Sequence, residues 1–464
     1  MIKKLKNVCI QGLGYVGAAT CAAIANATNQ YSDALYNVIG VDLNTSEGLK
    51  RIDSLNKGKF PFKTNDKKLV AALYKAKKEK RLSATFDTSV LSKADIIIVN
   101  VPLDINWSLV KPKVDFKNFD NAINTIGKNM NTNCLVLIET TVPPGTCEKR
   151  VVPILLNNLT ERQISHKNLK VAYSYERVTP GDNYLNSIIN SWRVFSGYND
   201  VSSKACNKFL KTFINTRKYP LTKLKSLTAS ETAKVMENSY RAINIAFIAE
   251  WSNFSEKIGL NSYEMIDAIR KRSTHNNIMS PGFGVGGYCL TKDPLFAGIA
   301  SKQLFNLSNQ AFPICEMGIK INQAMPLNNL HRLKKHIGSF KNKNILLLGA
   351  AYKCDVDDTR HSPSEIFYSE AKKGGAKVDV HDPYISVWED LNIKVLNKIP
   401  LAKKYDAIVL AVNHQYYLKF NFISWLRNSN SIFMDTFNIF SSEDHKKLLK
   451  NKQTVLVTGR GDIG

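Results

Sequence analysis

"KNVCIQGLGYVGAATCAAIANA", Lys6 to Ala27, is the stretch on which the fold turns. An apolar run of strand character enters a tight glycine turn, and a stretch rich in small residues follows without a breaker. Gly12, Gly14 and Gly17 stand in G-x-G-x-x-G spacing, with Tyr15 and Val16 completing the turn. Between a strand and a helix, the first glycine permits the turn. The second lets a pyrophosphate reach the backbone, and the third lets helix and strand pack closely while the helix N-terminus faces the phosphates. The next strand, "YNVIGVDLN", ends in Asp42. An acidic residue there bonds ribose hydroxyls and repels a 2′-phosphate, which favours NAD over NADP.

Beyond this unit, "ADIIIVNVPLD" and "NCLVLIETTVPPGT" are apolar runs ending in polar turns, and "LKVAYSYERVTPG" and "WRVFSGY" read as short strands. Strands alternating with helical patterns predict a parallel, doubly wound sheet in an N-terminal domain, residues 1–205. Residues 206–340 read as helical. "LTASETAKVMENSYRAINIAFIAEWSNFSEKIG" has no Gly or Pro until its end. Thr228 with Glu231 fits a capping box and Gly259 fits the stop. The last helical stretch, Leu304 to His336, is interrupted by Pro313 and Pro326. Strands then resume over 341–464 in "KNILLLGAAYK", "AKVDVHDPY", "YDAIVLAVNH", "SIFMDTFN" and "QTVLVTG". The fold class is α/β: two Rossmann-like doubly wound parallel-sheet domains joined by a central helical domain with a long helix.

Composition sets bounds on the rest. The 464 residues are enough for two or three domains, and 44% hydrophobic content supports ordinary cores. No apolar run reaches the roughly 18 residues a membrane span needs. The basic start passes straight into a strand, with no secretory h-region, so the cytoplasm is the expected compartment. Eight cysteines are scattered singly, without CxxC or paired Cys/His spacing, so neither a disulfide framework nor a metal site is expected, and most should be buried. The formal charge of +25 is spread over lysine-rich faces without a nucleic-acid-binding motif. Such a field attracts anionic small molecules.

Two clusters carry chemistry. Lys234 and Asn238 are four apart and share one face of the long helix, where an ammonium and an amide suit an oxygen that becomes anionic. "SPGFGVGGYCLTKDP", Ser280 to Pro294, sets Cys289 behind four glycines and ahead of Lys292 and Asp293. Glycines let a substrate approach the thiol closely. Beside an NAD site, a thiol becomes useful when an alcohol is oxidised twice. It captures the aldehyde, a second hydride leaves, and the thioester is hydrolysed. Asp293 suits a base for thiol or water, and Lys292 or Lys234 favours the thiolate.

The pieces "GLGYVG", "GVDLN", "VPLD", "ETTVPPGT", "YERVTPG", "AKVMENSYRAINIAF", "PGFGVGGYCLTKDP" and "AYKCDVDDTRHSPS" stand in collinear order over nearly the whole chain. In them the chain resembles the nucleotide-sugar 6-dehydrogenases: the UDP-glucose, UDP-N-acetylhexosamine and GDP-mannose dehydrogenases. The resemblance implies an NAD domain, a helical dimerisation core and a C-terminal nucleotide-sugar domain. It implies two oxidations at C6 of a UDP-sugar, giving a uronic acid for polysaccharide or capsule synthesis and two NADH. Cys289 matches the thioester nucleophile, Lys234 and Asn238 the oxyanion pair, and Asp293 the base near the thiol. Glu176 matches the acid that activates water or positions substrate, and Thr141 the threonine near nicotinamide and water. Pro102, Lys292 and Arg360 fall at cofactor contacts. Arg177 and Lys353 fall at the sugar nucleotide, and Ile278 to Gly286, with Gly282, Phe283 and Gly286, at the loop cradling its nucleotide end. Arg270 or Arg272 matches an arginine that reaches the other subunit's site.

Features disagree on the sugar. "YERVTPG", "SYRAINIAF" and "AYKCDVDDTRHSPS" resemble the N-acetylhexosamine branch, which favours UDP-N-acetylglucosamine or UDP-N-acetylmannosamine. Tyr288 and Lys292 look more like the UDP-glucose branch. The chain also departs from the family pattern. Tyr175 stands where a proline is usual, Asn100 and Val101 replace a VPT-like run, Ala249 replaces a common Asn, and Phe437 replaces a common arginine. A two-electron hydroxyacid-type dehydrogenase, which needs no thiol, and a basic nucleic-acid-binding protein are the competing readings.

Overall fold

Strand β1 (Lys6–Gln11) is the spine of the first sheet: Val8, Cys9 and Ile10 are all fully buried. Burial on both faces is what a central parallel strand requires, and it explains the continuous apolar run. In the computed structural model, which describes residues 5–106, 112–178 and 181–463, the chain forms two units. One is Met1–Glu237 with Leu295–Ala311, and the other is Asn238–Pro294 with Phe312–Gly464. Thr179 and Pro180 of the "YERVTPG" motif lie outside the described residues.

The first unit adds β2 (Tyr36–Val41), β3 (Leu82–Thr85), β4 (Ile96–Val99), β5 (Leu135–Ile138), β6 (Lys170–Tyr173), β7 (Val194–Gly197) and β8 (Thr222–Lys223). The sheet order is β8-β7-β6-β5-β4-β1-β2-β3. The strand order reverses at β1, between β2 and β4, and the glycine turn leaves the sheet there, where such folds bind dinucleotides. Alternate residues of β1 face opposite cores. Val8 and Ile10 join helix α1 (Tyr15–Ala25) in one cluster, while Cys9 packs with Ile97, Val136 and Tyr173 in the other.

Two strands depart from the expected parallel sheet: β7, with β8 parallel to it, runs antiparallel to β6. The start of β7 is pinned by Arg193, which donates 3.0 Å to Glu139, the residue after β5, and both side chains are fully buried. That pair puts the beginning of β7 at the edge where the neighbouring strands end, so the strand runs backwards.

The second unit has one parallel sheet of β9 (Asn344–Leu348), β10 (Lys377–His381), β11 (Ala407–Leu410), β12 (Ile432–Asp435) and β13 (Val455–Val457), in the order β10-β9-β11-β12-β13. Ile345 and Leu347 pack with Phe283, Phe367 and Trp388, while Leu346 and Leu348 pack with Tyr417 and Phe433.

Helix α2 (Leu227–Lys257) is continuous for 31 residues and belongs to the first unit up to Glu237 and to the second from Asn238. It stops before Gly259, at φ +77°. The expected Thr228–Glu231 capping box does not form. The Ser226 hydroxyl accepts from Ala229 N–H, Thr228 donates to Glu148, and Glu231 is engaged elsewhere. The expected interruption of the later helix is also corrected. Pro313 opens helix α3 (Pro313–Ile337), where its missing N–H is harmless, and Pro326 is carried inside it.

Candidate active site

In the first unit the three glycines of the dinucleotide turn have three different surroundings. A Cβ on Gly12, at φ +95°, would lie 2.7 Å from the Asn100 carbonyl oxygen, and one on Gly17 would lie 1.9 Å from that of Gly12. A Cβ on Gly14 would meet nothing within 4 Å. Gly14 is the N-cap of α1, and no side chain caps the helix. The backbone at Gly14, where α1 begins, thus leaves room that fits a dinucleotide pyrophosphate. The Tyr15 ring stacks on Phe62 at 3.9 Å, and Val16 lies in the first helical turn. Asp42 accepts from Leu13 N–H and Leu43 N–H and pairs with Arg51 at 3.2 Å. A carboxylate has acceptor capacity beyond these contacts for ribose hydroxyls.

Pro102 is exposed and Thr141 is half-buried. Thr140 anchors its neighbour by donating to Val101 O at 2.8 Å. Sequence reasoning missed Glu231, the brace of this loop. Its carboxylate accepts from Gly145 N–H (2.6 Å) and Cys147 N–H (2.7 Å), one helical turn before Lys234. Burial pushes the Glu231 carboxyl up to about 7, against the pull of those N–H bonds. Asn100, one of the departures, donates to the buried Glu139.

Lys234 is 6% exposed. Its ammonium donates to the Glu176 carbonyl at 3.1 Å and sits 5.2 Å from the Tyr175 ring centre. The Glu176 carboxylate folds back onto Val178 N–H. Arg177, expected at substrate, is bound to Glu237 through Nε and Nη2 and donates to Trp192 O.

In the second unit Cys289 has the one exposed thiol. Cys9, Cys21, Cys134, Cys147 and Cys206 are buried, and Cys315 and Cys354 are intermediate. Burial pushes the Cys9 thiol up to about 12. Behind Cys289 the chain curls, and its carbonyl accepts from Asp293 N–H at 2.9 Å. Asp293 is fully buried and takes two donors, Asn238 Nδ2 at 2.7 Å and Lys292 Nζ at 2.9 Å. Lys292 is itself buried and lies 4.3 Å from the Tyr288 ring centre, and Arg360 approaches the same ring at 5.5 Å. Arg360 also pairs with Asp358. Asn238, Asp293, Lys292 and the Cys289 backbone therefore form one hydrogen-bonded group.

The four glycines ahead of Cys289 clear room mainly for the protein itself. A Cβ on Gly284 would lie 2.6 Å from Pro363, and one on Gly286 2.6 Å from His361 O. One on Gly287, at φ +82°, would lie 2.6 Å from the Tyr352 ring. Gly282 alone of the four has room, with Phe437 nearest at 4.0 Å. Phe283, expected at the nucleotide, turns its ring into the core against Phe367. Arg270 donates to Ile278 O at 2.8 Å and to Ser280 at 2.9 Å, bracing the start of the loop Ile278 to Gly286. Burial lowers the pKa of Lys353, and the nearby Arg241 lowers it further. Arg241 was missed by sequence reasoning. Its signal was its position three residues after Asn238 on the same helix.

The chain matches three parts of the UDP-glucose/GDP-mannose dehydrogenase family: its NAD binding domain over residues 6–214, its central domain over 228–324 and its UDP binding domain over 346–442. It is 31% identical over 445 residues to a UDP-N-acetyl-D-mannosamine dehydrogenase of Methanocaldococcus jannaschii, covering 94% of this chain and 93% of that one. A solved UDP-D-ManNAc dehydrogenase from Pyrococcus horikoshii superposes with a TM-score of 0.81 at 26% identity, over 98% of this chain and 100% of that one. An NDP-N-acetyl-D-galactosaminuronic acid dehydrogenase from Methanosarcina mazei Go1 gives 0.79 at 25% identity, over 99% and 96%.

Proposed function

This chain belongs to the UDP-glucose/GDP-mannose dehydrogenase family and is an NAD-dependent oxidoreductase, and from that premise we propose that it oxidises C6 of a UDP-N-acetylhexosamine from alcohol to carboxylate. The observation that carries this reading is the exposed Cys289, whose backbone carbonyl is tied to a buried Asp293 held by Asn238 and Lys292. A two-electron enzyme has no use for that thiol. NAD, when bound, accepts the hydride at each oxidation. The C6 hydroxyl loses a proton and a hydride to give the aldehyde. The Cys289 thiolate adds to the aldehyde carbon, and the thiohemiacetal loses a second hydride to become a thioester. Water then cleaves the C–S bond, releasing the uronate and restoring the thiol.

Lys234 and Asn238 are the donors to the oxygen that carries negative charge in these steps. Asp293 takes the proton of the thiol or of the attacking water. Thr141 and Glu176 orient that water. The nucleotide end lies along Ile278 to Gly286, with Lys353 and Arg241 supplying positive charge for the diphosphate.

The relatives named for UDP-N-acetylmannosamine support that sugar. Tyr288 and Lys292 keep UDP-glucose as the second reading. We assign residues 206–340 to a dimerisation core. Tyr240, Phe247, Trp251 and Phe254 of α2 are each about half exposed, and Trp251 packs edge-on to Phe254 at 6.0 Å. A second copy of the chain would cover such a face. Among the described residues no helix is long and apolar enough to cross a membrane, and we place the enzyme in the cytoplasm, supplying polysaccharide precursors.

The test is a panel of UDP- and GDP-sugars scored by NADH released per mole of sugar. Two NADH with UDP-N-acetylmannosamine or UDP-N-acetylglucosamine is the expected result, and Cys289→Ser should stall after the first. A stoichiometry of one NADH overturns the four-electron reading.

A further inference from the structure

Lys234 presents a physical problem. It is a buried cation, and among the described residues no carboxylate pairs with it. An ammonium out of water is costly unless something replaces its hydration. Two groups do so: the Glu176 carbonyl at 3.1 Å and the face of the Tyr175 ring, 5.2 Å from Nζ. An aromatic face at that distance attracts a cation through its quadrupole, most strongly when both are desolvated. Tyr175 is 1% exposed.

The ring is held firmly. Its hydroxyl donates to Glu237 at 3.4 Å and accepts from Arg177 at 3.3 Å, and the Tyr173 ring lies 6.2 Å away. Arg177 also approaches the Tyr175 ring, at 5.4 Å, but its charge is met by the Glu237 carboxylate. Burial and the Glu237 charge push the Tyr175 phenol up to about 12, so it stays neutral through the physiological range. Tyr175, Glu176 and Arg177 are consecutive. One short segment thus supplies the ring beneath the ammonium, the carbonyl that orients it and the guanidinium that locks the ring. A proline at 175 would provide no aromatic face and no hydroxyl.

We propose that Tyr175 is the positioning residue of Lys234: its ring holds the ammonium aimed, leaving the remaining N–H donors for a substrate oxygen. This rests on the reading that Lys234 meets the oxygen that becomes anionic. The hydroxyl only locks the ring, so the ring itself is the functional part.

The experiment compares full-length Tyr175→Phe, Tyr175→Leu, Tyr175→Met and Lys234→Ala by steady-state NADH release, with the UDP-sugar that scores highest in the panel. Melting temperature is followed in parallel. Phe keeps the face, and its kcat should stay within threefold of wild type. Leu and Met fill the space without a face, and kcat should fall about tenfold with KM for sugar and NAD within twofold. Met serves where Leu fails to fold. Leu or Met matching Phe in kcat, or losing activity only through KM, overturns the inference. Lys234→Ala separates the two levels. If it is inactive while Leu and Met are normal, only the role of Tyr175 falls. If it keeps its kcat, the reading beneath falls and the inference with it.

Discussion

Replacing Asn238 with aspartate changes almost no volume and reverses the chemistry of the group behind Cys289. Asn238 Nδ2 lies 2.7 Å from Asp293 Oδ2, and both residues are buried. In Asn238→Asp a second carboxylate oxygen faces the first at that separation. Two unit charges 2.7 Å apart repel by about 6 kcal/mol at an effective dielectric constant of ~20. That is equivalent to about four pKa units. Lys292, 2.9 Å from the other oxygen of Asp293, offsets part of this. What remains is enough for the two carboxyls to share one proton at pH 7.5. A carboxyl that keeps a proton is no base, and loss of a general base costs ~10²–10⁴-fold. The kcat for NADH release should therefore fall at least about 100-fold at pH 7.5. It should partly recover toward pH 9.5 as the shared proton leaves, with KM for NAD unchanged. Intact-protein mass spectrometry should then show a sugar adduct on Cys289 if the hydrolytic step is the one slowed. A variant within threefold of wild type at pH 7.5, with a flat pH profile, would refute the assignment of Asp293 as base.

Three other outcomes are expected. Gly14→Ala should fold with an unchanged melting temperature yet bind NAD more weakly by calorimetry, because its Cβ meets only open space; Gly17→Ala should lose stability instead, with a Cβ 1.9 Å from Gly12 O. Arg193→Met leaves Glu139 buried without its cation and should destabilise the first unit by about 3–5 kcal/mol. Burial raises the Glu139 pKa, so the stability tied to its protonation is present at low pH and lost as pH rises; the variant's melting temperature should approach wild type at pH 5 and fall furthest below it at pH 8. Iodoacetamide on the native protein should label the Cys289 peptide first, with the five buried cysteines protected until denaturation; equal labelling of Cys206, which is buried, would contradict the burial pattern.

Much of this was legible in local pattern. The strand, glycine turn and small-residue helix at Lys6–Ala25 form as the spacing predicts, because Gly12 and Gly17 each leave room for backbone that a side chain would strike. The long helix shows itself by the absence of breakers between Leu227 and Lys257. What was not legible depends on partners distant in sequence. Nothing within "WRVFSGY" says that β7 runs antiparallel; the direction comes from Arg193 meeting Glu139 across 54 residues. Glu231 fits a capping box by local spacing but bonds instead to Gly145 and Cys147, more than 80 residues earlier. Pro326 reads as a breaker, yet the surrounding helix continues through it. The candidate catalytic residues were legible by motif, while the groups that hold them, Tyr175 and Glu231, were visible only once folded.

The packing of Gly284, Gly286 and Gly287 against Tyr352, His361 and Pro363 has a practical consequence for engineering. The cysteine loop and the segment 352–363 are complementary halves of one cast. Transplanting Ser280–Pro294 alone into a relative with a bulkier counterpart segment would wedge the thiol out of place while every catalytic side chain remained present. Grafts meant to change sugar preference therefore have to move both segments together, and libraries that randomise one should randomise the other in the same clone.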